Sequence, residues 1–184
     1  MKTFEAIYSR RSIRIFKPQA IPRGDIARII DAARWAPSWK NSQCARFVVI
    51  DDANLKLKIS DLMKGNRSCN AVLGAPVLIA VCAELGYSGY NAGAPATEKG
   101  DWYMFDSALA VQNILLAAKS LEIGSVVIGL FNAPAVATII KLPEQFTVIN
   151  LIALGYPDEH PSPPARKTLE QICFHNNFGT KFIP

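Results

Sequence analysis

The chain has 184 residues, half of them hydrophobic and 19% charged, a composition too apolar for intrinsic disorder. No apolar run approaches the ~20 residues of a membrane span, and the early Arg10 and Arg11 leave no apolar signal-peptide core; the expectation is a cytoplasmic protein with no membrane role. A net charge of +5 suits an anionic small ligand as well as nucleic acid.

Along residues 3–10, Phe4, Ile7 and Tyr8 recur at helical spacing and predict a helix whose aromatics face the core. Ser12 interrupts it, and Ile13, Ile15 and Phe16 interleave with arginine before Pro18 and Pro22. A second helix follows Gly24, with Ile26, Ile29, Ile30 and Ala33 as its stripe, and ends at Pro37. The polar loop 38–43 carries one large aromatic, Trp39. Residues 47–50 read as a strand stopped by Asp51 and Asp52; Leu55, Ile59 and Leu62 mark a helix, and 76–81 a buried strand.

Residues 85–100 hold four glycines and no stripe, which predicts a long mobile loop. The longest helix, 101–121, is apolar nearly all round. A helix without a polar face is buried on more than one side, so a partner subunit is expected to cover it, most simply in a two-fold homodimer. Residues 124–128 form a strand, 133–141 a short helix, 146–154 a strand, and the proline-rich tail holds one helical turn near 168–172. Helices alternate with strands that read as buried on both faces. The expected fold is α+β, a three-layer α/β/α sandwich with a central mixed sheet, formed by residues 1–184 as a single domain.

Cys44, Cys69, Cys82 and Cys173 form no Cys-x-x-Cys pair, and both histidines, His160 and His175, lie late in the chain. No zinc site or disulfide framework has its required spacing, so no metal is expected. Glycine-rich dinucleotide, P-loop and nucleophile-elbow motifs are missing. The densest polar cluster is Arg10, Arg11, Ser12 and Arg14. Its guanidiniums offer bidentate donors and the broken backbone adds N–H groups, a combination that surrounds a phosphate; the alternative is a solvated charged run. Nucleic-acid binding asks for aromatics interleaved with cations on one surface, whereas Phe4, Tyr8 and Phe16 sit at core spacing, so no nucleic-acid partner is expected.

Five blocks in order resemble the FMN-dependent nitroreductase family: Arg10-Arg11-Ser12-Ile13-Arg14-x-Phe16; Ala36-Pro37-Ser38-x-x-Asn41-x-Gln43; Asp106 with 112–118; the strand 124–129; and 153–157 with Pro164-Ala165-Arg166-Lys167-x-Leu169-Glu170. The resemblance implies a nitroreductase-like fold and a homodimer with FMN at the subunit interface and the C-terminal tail wrapping the partner. It implies that Arg10, Arg11, Ser12 and Arg14 hold the FMN phosphate and ribityl chain with Arg166 or Lys167. Pro37, Ser38, Trp39 and Asn41 reach the flavin from the other protomer, and Gly129 and Leu130 present N–H groups to the ring. Arg67 or Asn70 takes the pyrimidine-edge contact. The chain departs from the family at Gln43-Cys44-Ala45, where many members have Gln-Pro-Trp; Trp39 either replaces that bulk or packs in the core.

The function so implied is reduction of nitroaromatic, quinone or related small-molecule electron acceptors by NADH or NADPH through FMN, in ping-pong turnover. No side chain then acts as catalytic acid, base or nucleophile, because the flavin carries the chemistry. The alternatives are a relative that uses FMN for dehydrogenation, enone reduction or dehalogenation, and a non-enzymatic flavin-binding protein.

Overall fold

The structure, a computed structural model, describes residues 2–63, 65–66 and 68–182. Its frame is a four-stranded sheet in the order β1 (Ala45–Ile50), β2 (Val77–Glu84), β6 (Phe146–Gly155), β5 (Gly124–Ile128). These strands pair antiparallel throughout. A single parallel bridge, Ser12 to Ser125, adds the 12–17 segment to the β5 side and makes that edge mixed.

Period-two alternation divides the sheet's side chains between two cores. Leu78, Ala80 and Cys82 of β2, with Leu151 and Ala153 of β6, pack under α3 (Ala53–Asp61), α4 (Cys69–Gly74) and α6 (Ala133–Ile139). Val77, Ile79 and Val81, with Ile152 and Leu154, face α2 (Arg23–Arg34) and α5 (Tyr103–Ser120). A β2 strand buried along seven of its eight positions follows from helices on both faces. This is the three-layer α+β arrangement expected from the sequence.

The α2 stripe is as predicted, with Ile29 and Ala33 buried against α5. The two helices are also joined by Asn113 Nδ2 donating to the Ala32 carbonyl at 2.9 Å. Gly155 lies where Phe16 and Pro76 close on the end of β6, and a Cβ there would sit 2.7 Å from Pro76 and 2.8 Å from Phe16. The N-terminal segment is thereby seated on the sheet.

Two expectations need correction. Helix α1 (Thr3–Ser9) forms, but Phe4 and Tyr8 are 70% and 71% exposed and stack on each other at the surface rather than in the core. The apolar residues among the arginines do anchor part of their segment, with Ile13 and Phe16 buried and Ile15 exposed. The 85–100 segment is not irregular. It carries a hairpin of β3 (Tyr90–Asn91) and β4 (Ala94–Pro95), and its base is buried at Ser88 and Gly89. Gly89 adopts φ +83°, and a Cβ would fall 2.4 Å from the Trp102 ring, so glycine is required there.

Helix α5 buries Ala110, Val111, Ile114, Leu115 and Ala118 but leaves Met104 and Phe105 more than half exposed. The tail 157–182 contains α7 (Leu169–Ile172), with Leu169 and Ile172 exposed. Among the described residues no helix is long and apolar enough to cross a membrane.

Candidate functional site

The arginine cluster begins where α1 ends. Arg10 takes extended backbone angles as the C-cap, and its N–H donates to the Ala6 carbonyl at 3.0 Å. Ile13 N–H then donates to the Ser125 carbonyl at 2.9 Å, pinning the extended run to β5. Arg10 and Arg11 line a hollow of about 570 Å³ with Lys17, Lys119, Glu159 and His160 among its other walls. Ser12 and Arg14 do not line it. In an extended run they alternate with Ile13, which is buried, so Arg14 projects outward.

The cations in this cluster repel one another. Burial, then the charges of Arg11 and Arg166, pull the Arg10 guanidinium below its ordinary range. Arg11 Nη1 is held by the carbonyls of Tyr8 and Arg10, at 2.7 and 2.8 Å. The charge of Arg166 is felt at its own chain's Arg10, and both Arg166 and Lys167 are exposed on the tail. A partly buried guanidinium lying among other cations favours an anion beside it.

The second predicted group is the loop 37–44, whose centre is the short turn Trp39–Asn41. Three non-glycine residues in it have positive φ: Lys40 at 44°, Asn41 at 56° and Gln43 at 50°. Each left-handed residue costs about 1 kcal/mol. The loop is tied internally by Gln43 N–H donating to Ser38 Oγ at 2.9 Å and Ser42 N–H to the Trp39 carbonyl at 2.7 Å.

Its main anchor is Asp106, in the first turn of α5 and only 4% exposed. Both carboxylate oxygens accept from Trp39 N–H, at 3.2 and 3.1 Å; Oδ2 also accepts from Ser42 Oγ at 3.1 Å and Ser88 Oγ at 2.5 Å. Hydrogen bonds to a charged acceptor contribute about 1.5–3 kcal/mol each, so this set outweighs the strain. Asp106 also faces the thiol of Cys44, 3.8 Å away; burial, then this carboxylate, push the thiol up to about 11. Trp39 is half-buried and packs on Trp102 with ring centroids 5.5 Å apart.

Pro37 and Ser38 line a second hollow, of about 810 Å³, with Gln43, Arg46, Tyr87 and Asp106. It shares no residue with the first. Within one chain the arginine group and part of the 37–44 loop therefore line two separate hollows.

The third group, Gly129 and Leu130, follows β5 and is exposed. Their N–H groups have no acceptor among the described residues, and a Cβ at Gly129 would meet nothing within 4 Å. The Leu130 carbonyl is fixed by Asn66 Nδ2 at 2.6 Å. Arg67 lies outside the described residues; Asn70 is exposed on α4. An arginine-lined hollow suits a phosphate, and N–H groups with no acceptor among the described residues suit a polar ring edge.

Sequence reasoning missed the roles of Asp106, Ser88, Asn66 and Glu159. Only Asp106 carried a signal: it is a lone carboxylate opening an otherwise apolar helix.

The model of the Nitroreductase family matches residues 7–68 and 64–156. An NADPH-flavin oxidoreductase of Vibrio harveyi is 31% identical over 183 residues, covering 96% of this chain and 74% of the relative. A nitroreductase family protein of Clostridium novyi superposes with TM-score 0.77 at 32% identity, covering 99% of this chain and 97% of its own. A Desulfovibrio desulfuricans protein solved in complex with FMN superposes with TM-score 0.79 at 30% identity, over 97% and 98% of the two chains.

Proposed function

The chain belongs to the nitroreductase family, and from that premise we propose an FMN-dependent oxidoreductase that uses NADH or NADPH to reduce nitroaromatic, quinone or related electron-poor acceptors. The observation that carries this reading is the hollow lined by Arg10, Arg11, Lys17 and Lys119, in which the partly buried Arg10 guanidinium lies among other cations and an anion of phosphate charge is favoured. When bound, FMN supplies hydride acceptance from the nicotinamide and its delivery to the acceptor, the two substrates alternating in ping-pong order.

The chain's own part is binding and electrostatics. Arg10 and Arg11, with Arg166, neutralise the phosphate, while Ser12, Arg14 and Lys167 complete the hold along the ribityl chain. The N–H groups of Gly129 and Leu130 donate to the ring edge, where fixed dipoles act most strongly because they need no reorganisation. Arg67 or Asn70 serves the pyrimidine edge.

Pro37, Ser38, Trp39 and Asn41 complete the site from a second copy. Two features support a homodimer. The hollow beside the 37–44 loop and the arginine hollow share no lining residue within one chain. The chain also exposes Phe4, Tyr8, Met104 and Phe105, large apolar side chains that another subunit would cover. The tail, with Leu169 and Ile172 exposed, wraps the partner in this reading.

The test is the visible spectrum of the purified protein. A yellow protein with one FMN per chain, bleached anaerobically by NADH or NADPH, is expected; a colourless protein that takes up no added FMN refutes the proposal.

A further inference from the structure

We propose that Asp106 is a positioning residue that locks the 37–44 loop and the 85–100 segment into one unit beside the flavin. The inference rests on the flavin reading above and assigns a role that reading does not contain.

Among the described residues the carboxylate's hydrogen-bond partners are the Trp39 N–H, two serine hydroxyls and a thiol, with no cation among them. A buried charge without a counter-ion is costly. It is tolerated because it opens the 18-residue α5, where the helix end is positive, and because every partner is a donor. Burial alone is served better by an apolar residue; what a carboxylate adds is fixed geometry among its donors.

Those donors come from two segments. Trp39 and Ser42 belong to the loop proposed to touch flavin, and Ser88 belongs to the base of the hairpin segment. Two further links join the same pair. Trp39 packs at a 40° tilt on Trp102, whose Nε1–H donates to Thr97 Oγ1 at 3.1 Å. Lys40 Nζ reaches Asn91 Oδ1 at 3.4 Å near the hairpin tip. The loop is strained at Lys40, Asn41 and Gln43, so it relaxes once its anchor is removed. Tyr87 of the same segment lines the 810 Å³ hollow with Pro37 and Ser38, so a ligand there that moves the segment also moves the 37–44 loop through Asp106.

The experiment compares wild type, Asp106→Asn and Ser88→Ala by amide hydrogen exchange on the FMN-free protein, FMN titration and steady-state kinetics with menadione. Asp106→Asn is expected to lose at least tenfold protection across residues 39–44, to keep protection in β2 and β6, and to bind FMN at least tenfold more weakly. Ser88→Ala is expected to hold FMN within about threefold while raising KM for menadione about fivefold, with the rate of flavin reduction unchanged. Should Asp106→Asn not fold, Ser42→Ala/Ser88→Ala keeps the charge, removes both hydroxyl donors, and is expected to show the same loosening at 39–44.

Wild-type FMN binding with unchanged affinity and exchange in Asp106→Asn, or in the double variant, overturns the positioning role alone. Equal KM in Ser88→Ala and wild type overturns the link to the hairpin. A wild-type protein that binds no FMN overturns the flavin reading, and the positioning role with it.

Discussion

Glu159 holds Ile15 across 144 positions of sequence: its Oε1 accepts from the Ile15 N–H at 3.1 Å and also from the Arg14 N–H. The start of the tail is thus fastened to the backbone of the arginine segment, and the hold on Arg14 depends on a residue that no motif marked. The same carboxylate lines the hollow beside Arg10 and Arg11, where its charge opposes a bound anion.

These two effects separate by mutation. Glu159→Gln keeps an acceptor oxygen and removes the charge, so stability is expected to stay within about 0.5 kcal/mol while inorganic phosphate binds more tightly. Glu159→Ala leaves two N–H groups without their acceptor and is expected to cost about 1–2 kcal/mol. Urea unfolding with phosphate titration measures both, and equal stability of the two variants removes the fastening role.

The arginine cluster makes a prediction of opposite sign for the FMN-free protein. Arg10→Gln relieves repulsion with Arg11 and Arg166, so it is expected to leave stability unchanged or raised while abolishing the thermal stabilisation that phosphate gives wild type. A ligand at a hundred times its Kd stabilises by about 2.7 kcal/mol, a shift readily seen in a melt. In the proposed site Arg14 lies along the ribityl chain, so Arg14→Glu replaces a donor with a carboxylate in an anion-binding site and is expected to shed FMN in gel filtration.

Much of the frame was legible because its elements are strongly periodic. The stripe of α2, the length of α5 and the apolar runs of β1, β2, β5 and β6 each follow from burial on one or two faces. Helix α4 escaped notice because its six residues, Cys69–Gly74, offer less than two turns of pattern. The β3–β4 hairpin escaped because two-residue strands show no alternation. Phe4 and Tyr8 misled because helical spacing shows that a face is apolar but not what covers it. At the site, residue types in motifs were readable, whereas Asp106 to Ser88 and Glu159 to Ile15 are contacts between distant segments that no spacing encodes.

The exposed aromatics predict assembly. Phe4, Tyr8 and Phe105 are 70%, 71% and 56% exposed in the single chain, and fully burying such side chains contributes about 1.5–3 kcal/mol each. Sedimentation equilibrium is expected to show a dimer at micromolar concentration. Leu116→Glu, which charges a half-buried position of α5, is expected to reduce soluble yield rather than release a clean monomer, since obligate dimers often lack a stable one. A monomer that is stable at micromolar concentration contradicts the assembly.

The last prediction concerns Cys44, which lies beside the flavin loop and is the natural rival to cofactor-only chemistry. Its thiol is fully buried, and burial with the nearby Asp106 carboxylate pushes it up to about 11; burial alone pushes Cys82 to about 11 as well. At pH 7 a thiol with that value is ionised in only about one molecule in ten thousand, and the thiolate is the nucleophile. Cys44→Ala, and likewise His160→Ala and His175→Ala, are therefore expected to keep anaerobic flavin reduction within about tenfold, or roughly 1.4 kcal/mol of barrier. The same shifts set an alkaline limit on stability. Below the ordinary thiol value both folded and unfolded chains are protonated and nothing changes with pH. Between about 9 and 11 the unfolded chain loses protons that the folded chain retains, so stability falls as pH rises, by about 1.4 kcal/mol per pH unit for each thiol. Cys44→Ala is expected to halve that slope. A disulfide reagent at pH 8 is expected to react first with Cys69 and Cys173, which are partly exposed, and with Cys44 and Cys82 only on unfolding. Rapid labelling of native Cys44, or a thousandfold loss of flavin reduction in Cys44→Ala with FMN still bound, would show instead that this thiol takes part in the chemistry.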